Sequence, residues 1–239
     1  MKFKILTLFP EMFPGPINYS ITGKALKKKK FQLETINIRD FSINKAKTVD
    51  DTPFGGGAGM IIKADILQNA LTFAKKGFKK NCKIFSLSPS GKKITQSFIK
   101  NLVTSKEIIL ICGRYEGIDQ RFIDYNDIEE ISVGDYILSG GEIASFILID
   151  ACVRLIPEVL GNSESLRSES FHDYLLEYSQ YTKPSIWKKL KVPEVLLTGN
   201  HKKISDWRLK KSLEKTKKIR PELYNLFVKE KKRKLWITF

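Results

Sequence analysis

The chain has 239 residues, 42% of them hydrophobic, and its 42 basic against 26 acidic residues give a formal net charge of +16. This length and apolar content predict a globular protein, built either as one large domain or as a larger domain with a small one. No stretch approaches the roughly 18 apolar residues of a membrane-spanning helix, and the N-terminus lacks a cleavage-site pattern. We therefore expect a soluble, cytoplasmic protein with no membrane partner.

The positive charge is concentrated toward the C-terminus. Residues 1–170 hold 24 basic and 19 acidic side chains, whereas residues 171–239 hold 18 and 7. Thirty-four of the 42 basic residues are lysine, a bias that genome composition alone could produce. Because such a bias should spread evenly along the chain, the local excess favours binding to a nucleic acid.

The cysteines and histidines do not have the spacing of a metal site. Cys82, Cys112 and Cys152 form no CxxC pair and lie in or beside apolar runs, so we expect buried, reduced thiols. His172 and His201 are far apart and have no ligand spacing. We therefore predict no histidine-based metal site.

Short β-rich runs alternate with helical patterns over the first part of the chain. The predicted strands are FKILTLF (3–9), FQLETINI (31–38), CKIFSL (82–87), EIILIC (107–112) and DIEEISV (127–133). The predicted helices are NYSITGKALKKKK (18–30), ADILQNALTFAKKG (64–77), KKITQSFIKNLV (92–103) and EIASFILIDACVRLI (142–156). This alternation predicts an α/β fold, in which a mostly parallel sheet carries helices on both faces.

The pattern changes near residue 172. Residues 204–219 and 221–234 have helical periods with basic faces, and no convincing strand is visible. We therefore predict a small all-helical C-terminal domain. The predicted organisation is an α/β ligand-binding domain over residues 1–160, a linker over 161–175 and a basic helical domain over 176–239.

Three glycine-bearing stretches follow predicted strands, where α/β sheets bind ligands. They are SLSPSG (86–91), CGRYEGID (112–119) and SVGDYILSGGE (132–142). Each alone is ordinary turn chemistry, but together they predict a pocket lined by main chain and suited to a flat heterocycle. None is a phosphate loop, because no GxxxxGK[ST] occurs. The loop DDTPFGGGAGM (50–60) fits a mobile flap or a plain exposed loop equally well.

Six stretches, in order over essentially the whole chain, resemble a known family. They are DDTPFGGGAGM, LSPSG, ILICGRYEGIDQR, EEISVGDYILSGGE, VPEVLLTGNHKKISDWR and RPEL. The chain is similar in them to the bacterial tRNA (guanine-N1)-methyltransferases, the TrmD family of the SPOUT class. The resemblance implies a deep trefoil knot, S-adenosylmethionine (AdoMet) as methyl donor, and a homodimer with active sites across its interface. It also implies assistance by Mg²⁺, although no acidic cluster in the sequence marks a site.

The resemblance further assigns roles to individual residues. The implied cofactor-binding positions are Leu87, Ser88, Pro89, Gly113, Tyr115, Glu116, Gly117, Ser132, Val133, Gly134, Asp135, Tyr136, Ile137, Leu138, Gly140 and Gly141. The implied RNA-binding positions are Gly55, Gly56, Gly57 and Gly59 in the flap, and Asn200, His201 and Arg208 near the C-terminus.

The implied reaction is methyl transfer to N1 of the tRNA guanosine immediately 3′ of the anticodon. N1 carries a proton near neutral pH, so a base must remove it and a cation must stabilise the charge that spreads to O6. The resemblance gives these roles to residue 169 and Arg154. Without the resemblance, Arg154 reads as a surface residue or a partner of the helix dipole.

The chain departs from the family pattern at two positions. Ser86 stands where an aromatic residue precedes LSP, and Glu169 in RSESF stands where the family has aspartate. Glutamate keeps the carboxylate and adds one methylene, and a displacement of about 1 Å can cost about a hundredfold in rate. Two other readings stay open: another SPOUT RNA methyltransferase, and a non-catalytic RNA-binding protein with the same fold.

Overall fold

The computed structural model describes residues 1–160 and 169–237. Contacts within the chain divide it into two compact units, Met1–Gly161 and Asn162–Phe239. Part of the predicted linker, residues 161–168, lies outside the described residues. Within the described residues, no helix is both long enough and apolar enough to cross a membrane.

The first unit is built on a five-stranded parallel sheet with the strand order β2-β1-β6-β5-β7. The strands of this unit are β1 (Lys2–Thr7), β2 (Gln32–Asn37), β3 (Asp50–Asp51), β4 (Ile61–Ile62), β5 (Lys83–Lys93), β6 (Glu107–Cys112) and β7 (Glu129–Ser132). The short strands β3 and β4 form a separate antiparallel pair. The predicted parallel sheet is confirmed, and every one of its strand pairs is parallel.

Helices cover both faces of the sheet, as the alternating pattern predicts. They are α1 (Ser20–Lys27), α2 (Ala64–Lys75), α3 (Gln96–Leu102), α4 (Gln120–Asn126) and α5 (Gly141–Val153). Successive residues of a strand point to opposite faces, so Ile108 and Leu110 of β6 join the core under α3 and α5. Ile109 and Ile111 join the core under α2 and α4. The central strand is therefore buried on both sides.

Strand β5 extends beyond the predicted 82–87 and includes the glycine motif SPSGKK. Leu87 and Lys92 both pair with Ile131 of β7, so the four residues between them bulge out of the register. A Cβ on Gly91 would lie 2.4 Å from the backbone carbon of Glu130, so only glycine allows this approach. The predicted helix 92–103 is correspondingly shorter, and α3 begins at Gln96.

The second unit is not all-helical, so that part of the predicted fold class is wrong. It contains a two-stranded antiparallel hairpin, β8 (Ile186–Trp187) and β9 (Leu190–Lys191), as well as α6 (His201–Ile219) and α7 (Pro221–Ile237). Each strand has only two residues, too few for a period-2 pattern to appear in the sequence. The hairpin turn also lacks the Gly and Asn residues that normally signal one.

Candidate functional site

The bulge of β5 and the glycine-bearing loops that follow β6 and β7 enclose a cavity of about 430 Å³. Neighbouring strands β5 and β6 pair in parallel, as do β5 and β7, so their carboxyl ends share one edge of the sheet. The volume is within the roughly 300–1,000 Å³ of small-molecule sites. The glycine motifs in the sequence predict a pocket at this place.

Fifteen of the sixteen predicted cofactor positions line the cavity. They are Leu87, Ser88, Pro89, Gly113, Tyr115, Glu116, Gly117, Ser132, Val133, Gly134, Tyr136, Ile137, Leu138, Gly140 and Gly141. Asp135 is not part of the lining, and its carboxylate instead accepts a hydrogen bond from Lys93 Nζ at 2.8 Å. Ser86, which replaces the expected aromatic residue, is buried and lines the cavity.

Two adjacent glycines bring the start of α5 against the end of β6. A Cβ on Gly141 would lie 2.7 Å from Cys112 Cα, and one on Gly140 would lie 2.2 Å from Arg114 Nε. Real Cβ atoms essentially never come this close, so a side chain at Gly141 would force the two elements apart, whereas one at Gly140 would displace the Arg114 side chain from its bond to Glu142. The Gly141 amide also donates to the Gly113 carbonyl at 3.0 Å. These contacts hold two of the pocket loops together through main chain.

A buried ion pair joins the same two loops. Glu142, in the first turn of α5, is fully buried, and its carboxylate accepts from Arg114 Nε at 2.8 Å and from Thr7 Oγ1 at 2.7 Å. Arg114 also donates to the Ser139 carbonyl at 3.0 Å, and its guanidinium lies 4.5 Å from the centre of the Phe9 ring. The ion pair and these hydrogen bonds therefore connect the loop after β6, the loop before α5 and the end of β1.

Neither the glycine motifs nor the family resemblance assigns a role to this ion pair or to other residues that complete the cavity. The unassigned lining residues include Ser90, Arg114, Ile118, Gln120 and Ser139. Arg114 and Glu142 each lie within a glycine motif, Arg114 in GRYEGID and Glu142 in SGGE. An opposite-charge pair inside two motifs expected to meet is the signal that could have identified them.

The flap is attached to the pocket at its base. Strands β3 and β4 close the loop, and Glu116 N donates to the Met60 carbonyl at 3.0 Å while Ile62 N donates to the Gly117 carbonyl at 3.0 Å. A Cβ on Gly59 would lie 2.4 Å from the side chain of Glu116. Backbone φ is positive at all four predicted flap positions, with values of 80–123° at Gly55, Gly56, Gly57 and Gly59. The base of the flap therefore lies against the loop after β6, which carries the predicted cofactor-binding residues Glu116 and Gly117.

The two residues predicted to do chemistry belong to different units. Arg154 is the half-buried C-terminal cap of α5, and its amide donates to the Asp150 carbonyl at 3.2 Å. Glu169 is half-buried in the second unit beside Ser170, whose Oγ accepts from the amide of Glu177 at 3.0 Å. After it, the backbone takes positive φ at Phe171, Asp173 and Tyr174, a conformation that non-glycine residues rarely adopt.

The predicted RNA-binding residues of the second unit cluster at the start of α6. Asn200 caps the helix, since its side-chain oxygen accepts from Lys203 N at 3.0 Å, and His201 is the exposed first residue. Arg208 lies two turns further along α6, with its guanidinium 5.0 Å from the centre of the Tyr178 ring. Trp207 is half-buried and packs on Tyr181, with ring centroids 6.3 Å apart.

The cysteines are free thiols, as predicted. Burial raises the pKa of the Cys152 thiol to about 12, and burial together with the nearby Glu142 raises that of Cys112 well above its ordinary value. Cys82 is only half-buried. Over residues 1–160 and 169–237, no group of three or more His, Cys, Asp or Glu side chains is arranged to hold a metal ion.

Comparison with known proteins yields one consistent set of relatives. A family model described as tRNA (Guanine-1)-methyltransferase TrmD matches residues 1–226. A tRNA (guanine-N(1)-)-methyltransferase of Wolbachia pipientis wMel is 52% identical over 229 residues, which cover 95% of this chain and 97% of that protein. Proteins of the same name from Pelagibacter ubique and Ehrlichia ruminantium strain Gardel are 51% and 53% identical. The first match covers 95% of this chain and 98% of the relative, and the second covers 92% and 94%.

Proposed function

Because the chain belongs to the tRNA (guanine-1)-methyltransferase TrmD family, we propose that it transfers a methyl group from AdoMet to N1 of a guanosine in tRNA. Within tRNA we place the target immediately 3′ of the anticodon, as the family resemblance implies. The observation that carries the proposal is the cavity at the ends of β5, β6 and β7, which collects nearly all the cofactor positions that the resemblance assigns.

The cavity has the properties that AdoMet requires. At Gly113, Gly117, Gly134, Gly140 and Gly141 its wall can only be main chain, which offers amides and carbonyls to the edge of an adenine ring. Leu87, Val133, Ile137 and Leu138 supply apolar surface for the faces of that ring. When bound, AdoMet supplies an electrophilic methyl group on a positively charged sulfur, which leaves as a neutral thioether.

Glu169 is the proposed base. Its carboxylate takes the N1 proton of the guanine, the N1 lone pair forms the new bond to the methyl carbon, and the proton stays on the carboxyl oxygen. Arg154 is the proposed cation that stabilises the negative charge spreading to O6. Glutamate at residue 169 performs the same chemistry as aspartate, with one methylene more of reach.

The position of Arg154 supports an active site shared between two copies of the chain. Helix α5 begins at the cavity, where Gly141 and Ala144 are part of the wall, and ends at Arg154. At about 1.5 Å per residue, the helix places Arg154 roughly 20 Å along its axis from Gly141. That is farther than an arginine side chain extends, so Arg154 acts in the cavity of a second copy.

An exposed apolar surface supports the same homodimer. Ile143 and Ile147 lie one turn apart on α5 and are both exposed, so they form a continuous apolar stripe on that helix. Tyr19, the N-cap residue of α1, and Ile137 in the pocket loop are exposed as well. Contiguous exposed apolar surface marks interaction sites. We propose that α5 packs against a second copy through this surface. Analytical ultracentrifugation at micromolar concentration tests this, and a monomer there contradicts it.

The trefoil knot is also part of the proposal. A knotted chain requires backbone segments to pass very close to one another, and Gly91 approaches the backbone of β7 and Gly141 the backbone of β6 in this way. An experimental chain trace from β5 to α5 tests it, and an unthreaded path would disprove it. For Mg²⁺ the described residues offer no cluster of protein ligands, and no step is assigned to the ion.

The flap and the second unit are the proposed tRNA-binding parts. Gly55, Gly56, Gly57 and Gly59 surround the target base, and Asn200, His201 and Arg208 contact the anticodon stem. Beyond the sequence signature, two features support this assignment. The base of the flap is hydrogen-bonded to the loop after β6, through Glu116 N and the Met60 carbonyl. The net positive charge of the chain is concentrated in residues 171–239. We also propose that the protein acts in the cytoplasm, which cell fractionation tests.

The decisive experiment is a methylation assay with labelled AdoMet and unmodified tRNA transcripts that carry G or A at the position 3′ of the anticodon. Label at N1 of the guanosine is the expected result, with none on the A transcript. Label on ribose would instead indicate another SPOUT methyltransferase, and binding of tRNA and AdoMet without transfer would indicate a non-catalytic protein.

The role of Glu169 is tested separately under single-turnover conditions. We expect Glu169→Ala and Glu169→Gln to lose most of the transfer rate, because neither side chain accepts a proton, while AdoMet affinity stays unchanged. Glu169→Asp shows whether the shorter carboxylate is tolerated. If Glu169→Ala transfers methyl as fast as the wild type, residue 169 is not the base.

A further inference from the structure

A hairpin in the second unit presents an aromatic ring and lysines together at its tip. Ile186 pairs with Lys191 and Trp187 with Leu190, so Lys188 and Lys189 form a two-residue turn. Residues 179–191 are all exposed, and the Trp187 side chain is 60% exposed. The ammonium of Lys188 lies 5.0 Å from the centre of the Trp187 ring. Leu190, which pairs with Trp187 across the hairpin, is 68% exposed as well, and a contiguous exposed apolar patch marks an interaction site.

The turn adopts a conformation for which lysine is a poor choice. Backbone φ is +45° at Lys188 and +68° at Lys189, as in the turns of type I′ that join two-residue hairpins. Asn and Gly fill these two positions most readily, because positive φ strains residues that carry a Cβ. Strain of this kind clusters at functional sites. What the two lysines add here is positive charge next to Trp187.

The charge around the hairpin favours an RNA over a protein as its partner. Residues 178–193 contain four lysines, Lys183, Lys188, Lys189 and Lys191, and no acidic residue. A second copy of the chain would bring two such basic surfaces together, which like-charge repulsion opposes. Exposed aromatic rings beside lysines are the usual surface for unpaired nucleotides, since bases stack on the ring and phosphates contact the ammonium groups.

We propose that the β8–β9 hairpin is a tRNA contact, in which Trp187 stacks on an unpaired base and Lys188 and Lys189 bind the adjacent phosphates. The inference rests on the proposed function for the presence of tRNA. It adds a contact that lies apart in sequence from Asn200, His201 and Arg208. Because any base can stack on Trp187 and phosphates are the same at every nucleotide, the hairpin recognises an unpaired segment and not its base sequence.

The turn itself provides the sharpest test. The double variant Lys188→Asn/Lys189→Gly installs the residues that a type I′ turn prefers, so the fold should be unchanged or more stable by thermal unfolding. We nevertheless expect it to bind unmodified tRNA more weakly than the wild type. The slope of log Kd against log salt should fall by about one for each lysine that contacts a phosphate, so by about two. Stability and RNA affinity would then change in opposite directions.

A matched control carries the same changes elsewhere. Lys79 and Lys80 are consecutive exposed lysines just before β5, at the amino-terminal end of the strand, whereas the cavity lies toward its carboxyl end. Lys79→Asn/Lys80→Gly removes the same charge with the same substitutions, and we expect a smaller loss of affinity and a smaller change in slope. Equal affinity and equal slope for the two double variants would overturn the proposal.

Trp187 is tested by graded replacement. Loss of one base stack weakens binding by about 1–3 kcal/mol, which is roughly 5- to 150-fold in Kd. We expect Trp187→Ala to show a loss in this range and Trp187→Phe to recover most of it, whereas a charge effect alone would leave both at the wild-type value. A changed oligomeric state of Trp187→Ala in sedimentation would show a self-contact and would refute the RNA assignment.

The outcomes separate this inference from the proposed function. Normal methylation of N1 by the wild type, with hairpin variants that bind tRNA as tightly as the matched control, would refute the hairpin contact alone. Absence of methyl transfer by the wild type, with weaker tRNA binding by the hairpin variants, would refute the proposed reaction and support the contact.

Discussion

Removing the Arg114 side chain should destabilise the first unit more than removing any surface arginine. Glu142 is fully buried, whereas the Arg114 side chain is 19% exposed, so Arg114→Ala leaves a buried carboxylate without its cation. Breaking a buried pair in this way typically costs about 3–5 kcal/mol. The Thr7 hydroxyl still donates to Glu142 and water reaches the vacated space, so we expect the lower end, about 3 kcal/mol.

Arg121→Ala is the matched control. Arg121 pairs with Asp119 at 2.6 Å, but its side chain is 76% exposed, and such pairs contribute about 0–1 kcal/mol. The free energy of unfolding is measured by urea titration with far-UV circular dichroism, and hydrogen exchange in β1 and α5 localises the effect. A loss for Arg114→Ala within about 1 kcal/mol of that for Arg121→Ala would refute the reasoning.

A double variant tests the cause of the loss. Arg114→Ala/Glu142→Gln removes the buried charge while an amide oxygen remains to accept from Thr7. We expect it to be more stable than Arg114→Ala alone, with a coupling free energy of roughly 0.5–3 kcal/mol between the two positions. Because the pair joins two loops of the cavity, Arg114→Ala should also weaken AdoMet binding in calorimetry. Additive losses would mean that the two side chains stabilise the fold independently.

Three further predictions follow from the packing. Gly141→Ala should lower the free energy of unfolding by about 1–3 kcal/mol and weaken AdoMet binding, because its Cβ would lie 2.7 Å from Cys112 Cα. Gly113→Ala is the control in the same urea titration, and it should change stability little because its Cβ has no contact closer than 3.7 Å. The pKa of the Cys152 thiol is raised from 9.0 to about 12, so between pH 9 and 12 the unfolded chain loses this proton while the folded protein keeps it. Stability should therefore fall across that window, less steeply in Cys152→Ala, and an unchanged slope would contradict the burial of this thiol. Asn200→Ala should lower the stability of the second unit by about 1 kcal/mol through loss of the α6 cap, measured by tryptophan fluorescence, whereas Asn200→Ser should retain most of it.

The sheet could be predicted from the sequence because its signals are local. The apolar run 107–112 coincides with β6, and the apolar stripe from Ile66 to Ala74 coincides with the buried face of α2. The extension of β5 could not be predicted, because Lys92 and Lys93 lie in the strand only through pairing with β7, about 40 residues later. Strand propensities are assigned from nearby residues alone and take no account of pairing with a strand so far along the chain.

The same distinction applies to the candidate site. The glycine motifs predict the cavity since each follows a strand, and parallel strands bring their ends together. The bond between Arg114 and Glu142 joins residues 28 positions apart and depends on how Gly140 and Gly141 let α5 approach β6. The sequence does not predict the β8–β9 hairpin, because its turn has lysines where Asn and Gly are usual.

The main-chain lining of the cavity has a consequence for pharmacology. Resistance to an enzyme inhibitor usually arises when a contacting side chain is replaced, but Gly113, Gly140 and Gly141 have no side chain to lose. An inhibitor that bonds to amides and carbonyls at these positions could be evaded there only by adding atoms. At Gly140 and Gly141 any added carbon collides with Arg114 or with the backbone of Cys112. At Gly140 and Gly141, though not at Gly113, the routes to resistance are therefore those that also damage the fold.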